Sequence, residues 1–255
     1  TSNVTTMYWM FKEAKTFNHD INGWDTSKVT SMNRMFERTP FNMPIDSWDT
    51  SIVSNMYGVF ANAWKFNQPI HSWITSKVTV MSDMFKGAVA FNQPIDGWDV
   101  SVVAKMSGMF RSASDFNQPI SGWVTSNVTT MYWMFKEAKT FNHDINGWDT
   151  SKVTSMNRMF ERTPFNMPID SWDTSIVSNM YGVFANAWKF NQPIHSWITS
   201  KVTVMSDMFK GAVAFNQPID GWDVSVVAKM SGMFRSASDF NQPISGWVTS
   251  NVTTM

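Results

Sequence analysis

The sequence predicts an α/β repeat solenoid in which each coil of about 25 residues carries a short parallel strand and a short helix. Two observations predict it. An internal repeat accounts for the whole chain, and inside each repeat an apolar stripe at helical spacing precedes a segment rich in Thr, Ser and Val and broken by Pro.

Residues 1–124 recur without a substitution as residues 125–248, and residues 249–255 (TSNVTTM) begin a third block. Each block holds five units, beginning at Thr1, Thr26, Thr50, Thr75 and Val100, four of 25 residues and one of 24. Residues 1–255 therefore read as a single solenoid of ten coils. A unit follows the pattern Thr/Val-Ser-x-Val-x-x-Met-x-x-Met/Val-Phe-x-x-Ala/Thr-x-x-Phe-Asn-x-x-Ile-x-x-Trp. The pattern explains the composition: two Phe per unit supply all 20, and one Trp per unit supplies ten of the 14. Its length lies in the range of about 20 to 29 residues typical of leucine-rich-type repeats.

The helix is predicted first along each unit. Met7, Met10, Phe11 and Ala14 stand at i, i+3, i+4 and i+7, and Met81, Met84, Phe85 and Ala88 repeat that stripe, which is one face of a helix of about two turns. The stretch from Phe17 through Ile21 and Trp24 to Val29 has no helical spacing, and its equivalents contain Pro44, Pro69, Pro94 and Pro119. Pro donates no ladder hydrogen bond, so the paired strand is expected C-terminal to it, over Trp24 to Thr30. In the 24-residue unit the residue lost lies between Phe36 and Phe41, where Pro40 marks a tightened corner.

One unit cannot bury Val4, Met7, Met10, Phe11, Phe17, Ile21 and Trp24 by itself, so neighbouring units must stack. At ~4.8 Å per coil, ten coils span about 48 Å and one block about 24 Å. Neither end carries a polar capping unit, which predicts that the array continues beyond this stretch.

Charge and composition exclude several functional classes. The chain has 20 Lys+Arg against 20 Asp+Glu, without the cationic excess that duplex nucleic acid or an anionic membrane demands. Zero Cys removes disulfides, thiolate metal sites and cysteine nucleophiles. No apolar run approaches the ~20 residues of a membrane span.

The segments VTTMYWMFKEAKTFNHDINGWDTS and VTVMSDMFKGAVAFNQPIDGWDVS, at residues 4–27 and 78–101, resemble the BspA-like leucine-rich-repeat surface proteins of bacteria, mycoplasmas and some protists. The resemblance extends over all ten units. It implies a right-handed, leucine-rich-repeat-like solenoid on a secreted or cell-surface protein, associated with adhesion or host contact and with no known enzymatic activity.

Several residue rows are candidate sites. Asn18, Asn42, Asn67, Asn92, Asn117, Asn142, Asn166, Asn191, Asn216 and Asn241 follow the second Phe of each unit. They are expected to form a structural ladder that bonds backbone groups of the next coil rather than a ligand groove. Asp25, Asp49 and Asp99 follow Trp in three of five units, and turn formation outweighs a calcium ladder because the row is interrupted. His19, His71, His143 and His195 fall on separated coils, a poor arrangement for zinc. Asn3, Asn127 and Asn251 open N-V-T tripeptides, the acceptor motif for glycosylation in a secretory pathway. Tyr8 with Trp9, and Tyr132 with Trp133, are candidates for a lateral contact, because Arg34, Gly58, Asp83 and Gly108 at the Trp9 position indicate solvent. The competing expectation is that each Trp folds over its own coil.

No catalytic residues, metal site or cofactor are expected. The leading functional expectation is a non-enzymatic extracellular or cell-surface structural repeat, a segment of a long fibre or stalk whose partner is itself, end to end or laterally. Alternatives are an adhesin module gripping host matrix protein or polysaccharide, an ice- or crystal-binding surface built on rows such as Thr26-Ser27, Thr50-Ser51 and Thr75-Ser76, and an engineered consensus array. No nucleic-acid partner is expected.

Overall fold

A computed structural model describes all residues, 1–255. Successive repeats lie one on another, joined by ten single-residue parallel bridges, from Thr6 with Ser31 and Ser31 with Asn55 through to Lys229 with Thr254. Each bridge joins equivalent positions of neighbouring units, so the chain forms a stack of coils in register.

The predicted α/β construction is overturned. The 106 backbone-to-backbone hydrogen bonds include none within a helix or an extended strand. Where the helix was expected, alternate amides point in two directions. In the fourth unit, Met81, Asp83, Phe85 and Gly87 donate to Lys105, Ser107, Met109 and Arg111 of the next coil, while Met84, Lys86 and Ala88 donate back three residues to Met81, Asp83 and Phe85. This is a run of linked turns whose spare donors pair with the next coil. In the interior coils the Met, Met, Phe, Ala stripe is still fully buried, as at Met81, Met84, Phe85 and Ala88, while on the first coil Met10 is exposed. Turns of three-residue step bring the same four side chains to one face, so apolar spacing does not distinguish them from a helix. Two of these three turns, 81–84 and 85–88, carry a positive φ at their third residue, Asp83 (55°) and Gly87 (65°), as a type II turn requires.

The expected strand over Trp24 to Thr30 shrinks to the bridge at Ser31, with Thr30 donating to the Thr5 carbonyl. Upstream of it the chain turns twice, Trp24 donating to Ile21 and Val29 to Thr26.

Aromatic rings fill the interior in three rows along the stack. Phe36, Phe60, Phe85 and Phe110 follow at centroid spacings of 5.7, 5.6 and 5.8 Å. Phe66 and Phe91 belong to the second row at 6.0 Å, and Trp48 and Trp73 to the third at 6.4 Å. Within one coil the two Phe rings lie closer, 3.9 Å for Phe85 and Phe91. One continuous cluster of buried apolar residues runs from Met7 to Met233.

Candidate functional site

The Pro-containing segment cannot run a backbone ladder, and side chains replace it. Asn18 Oδ1 accepts the Asn42 amide at 2.8 Å, Asn42 Oδ1 the Asn67 amide at 2.9 Å, and the pattern continues through all nine interfaces to Asn216 and Asn241. Where a Gln precedes the Pro it joins in: Gln93 Nε2 donates to both the carbonyl and Oδ1 of Asn67. A second row is formed by the indoles, as Trp98 Nε1 donates to the Ile70 carbonyl at 3.2 Å.

The Thr that opens most units is a third such row. Thr26, Thr50 and Thr75 are at most 1 % exposed, and their hydroxyls donate to the carbonyls of Asp49, Ile74 and Asp99. In the row expected to meet ice or a crystal, the Thr hydroxyls are thus inside the stack and already bonded, which leaves only the serines, with Ser27 and Ser76 exposed.

The carboxylates of Asp25, Asp49 and Asp99 cap their own turns. Asp49 Oδ1 accepts the Ser51 amide at 2.9 Å, and Asp25 Oδ1 accepts both the amide and the hydroxyl of Ser27. These bonds, the serine hydroxyl first and the amide second, hold Asp25, Asp49, Asp99, Asp149 and Asp223 below the ordinary carboxylate value. No three His, Cys, Asp or Glu side chains converge as a metal site. Of the histidines, His143 bonds the Asn117 carbonyl through Nε2 at 2.8 Å.

Asn3, Asn127 and Asn251 are exposed. The amide Nδ2 of Asn127 donates to the Ser101 carbonyl at 2.7 Å, that of Asn251 to the Ser225 carbonyl, and Asn127 Oδ1 accepts Lys152 Nζ.

The two aromatic pairs differ by their neighbours. Tyr8 and Trp9 on the first coil are 57 % and 54 % exposed. Trp133 is half-buried, with the Arg111 guanidinium of the preceding coil 4.8 Å from its ring centre, while Tyr132 remains exposed. Trp133 therefore leans on the preceding coil, which neither sequence expectation specified.

Sequence reasoning missed the polar network on the turn face. Arg158 stacks on Tyr181 at 4.7 Å and donates to its hydroxyl at 3.0 Å, and that hydroxyl reaches Asp207 at 3.2 Å, linking three coils. The phenol bond raises the Arg158 guanidinium above its ordinary value, burial opposing it. Glu161, nearly buried, pairs with Lys136 at 2.9 Å and lies 3.5 Å from Arg158. With Arg162, Asn186 and Lys210 these residues line a polar cavity of about 340 Å³. The signal in the sequence was the charge of Arg158 and Asp207 at the same position of coils two apart, with Glu161 three residues after Arg158; the helical assignment fixed no offset between coils that would bring them together. A smaller notch of about 200 Å³, lined by Tyr57, Ser82, Asp83, Ser107, Tyr132 and Trp133, spans the junction of the two blocks.

These ladders and rings are those of a tandem-repeat protein whose recurring Asn, Trp and Thr side chains bond the neighbouring coil. The chain belongs to the family described as "Mycoplasma protein of unknown function, DUF285", which matches residues 1–94, 62–167 and 161–255 in succession. No curated protein matches the chain. No helix is long and apolar enough to cross a membrane.

Proposed function

We propose that this chain is a non-enzymatic structural array, a segment of an extracellular surface fibre or stalk of the BspA-like kind. The observation that carries the reading is the assignment of polar rows to stacking. The Asn, Trp and Thr side chains that recur in the units bond the neighbouring coil. The family match in three successive segments supports an architecture that propagates by repetition.

Electron microscopy of the protein from its source tests this. Rods with an axial repeat near ~24 Å, five coils at the inter-strand spacing, are the expected outcome. Compact particles of a single size with no axial periodicity would overturn it.

A further inference from the structure

The net charge of zero hides a partition along the repeats, complete in the units beginning at Thr26 and Thr75 and absent from the one beginning at Thr50. The closing segments, such as 18–25, 42–49 and 92–99, contain Asp20, Asp25, Asp46, Asp49, Asp96 and Asp99 and no Lys or Arg, and the second block repeats this. The opening segments, such as 26–31, 75–80 and 100–105, contain Lys28, Lys77 and Lys105 and no Asp or Glu, again repeated. All of these Asp and Lys side chains are exposed. Because the coils stack in register, each segment becomes a strip along the stack: one strip is anionic, another cationic. The remaining segment, which carries the polar cavity, holds charges of both signs, several of which pair within the chain.

We propose that copies of this chain associate side by side, the acidic closing strip of one against the lysine strip of another. The occupant is a second copy for three reasons. The two strips are complementary in sign. A chain of zero net charge meets no long-range repulsion from its own kind. And both strips repeat every 124 residues, so two parallel stacks that match in one block match in the next, and weak contacts add multivalently. The contact joins unlike surfaces, so it leaves a free strip on each partner and builds open sheets rather than closed dimers. This rests on the rod-like array proposed above.

Sedimentation equilibrium and light scattering of the purified chain test it. Association is expected at ~20 mM salt and its loss at ~0.5 M, where the screening length falls to a few ångströms. The variant Asp46→Asn, Asp170→Asn, Asp220→Asn removes three closing-strip charges whose side chains cap no turn. It is expected to weaken association at least tenfold. The control Glu13→Gln, Asp115→Asn, Asp239→Asn changes net charge equally but on the turn segment, and is expected to stay within about threefold of the parent. Equal weakening by both variants, or no association at low salt, overturns the proposal. If electron microscopy shows ~24 Å rods in either of those cases, only the lateral contact fails and the fibre reading stands.

Discussion

Asn92 serves two coils with one amide. Its backbone N–H donates to Asn67 Oδ1, and its own Oδ1 accepts the Asn117 amide at 2.9 Å and Gln118 Nε2 at 3.0 Å. Asn92→Ala strips the acceptor from the backbone N–H of Asn117, an exposed residue, and a loss of about 0.5–1.5 kcal/mol is expected in chemical unfolding. A loss below ~0.3 kcal/mol would show that water replaces the bond at no cost. The Asn column was legible because it recurs without exception; its Gln partner was not, since Gln alternates with His and Met along the row. Acid sensitivity also belongs at this scale. The five capping Asp are held below their ordinary value of 3.8 by serine. A carboxylate depressed in the folded state contributes stability that is present above its unfolded pKa and disappears as pH falls through the folded one. Thermal unfolding should therefore respond little to these groups between neutral pH and about 5, with their contribution lost below about 3.8. Asp49→Asn, which can still accept the Ser51 amide, should flatten the acid side of that curve.

At the scale of the element, the turn run is the departure from expectation. Periodicity located its buried face correctly at Met32, Met35 and Phe36 and misjudged its backbone. Spacing reports which side chains share a face; it carries no information on whether an amide bonds its own segment or the next coil. The telling residues were those between the apolar ones. Trp9, Arg34, Gly58, Asp83 and Gly108, and likewise Glu13, Arg38, Asn62, Gly87 and Ser112, all adopt positive φ, and Gly and Asn scattered down both columns were the available clue. A left-handed non-glycine residue costs roughly 1–2 kcal/mol. Arg162, at φ 58° and joined to Glu137 by a mostly exposed ion pair, tests the point. Arg162→Gly is expected to leave stability within ~1 kcal/mol of the parent, because the strain relieved offsets the flexibility gained and an exposed pair contributes little. Arg162→Val should destabilise by more than ~1 kcal/mol, since branching at Cβ disfavours this backbone. Equal thermal midpoints for the two would refute the account.

Across the whole molecule, much was readable from repetition: the stacked units, the Asn column and the continuous apolar interior. The polar cavity and the lean of Trp133 on Arg111 were not, because both depend on which residue of one coil lies beside which of the next. That offset is fixed by the turn run, the element that periodicity misassigned.

The in-register bonding has a mechanical consequence. Adjacent coils are held by several parallel bonds, as Met81, Asp83, Phe85 and Gly87 hold the following coil. When the two chain termini are pulled apart, every interface carries the same force. The bonds of the outermost coils, however, are loaded one after another from the chain end while those inside share it, so the end coils peel first. Each released coil of 24 or 25 residues adds roughly 80–90 Å of extended chain. In single-molecule extension the protein should lengthen in small, nearly equal steps at similar forces. A single large rupture would mean that the stack fails as one body. Stepwise peeling would make it a shock absorber whose travel is set by the number of coils.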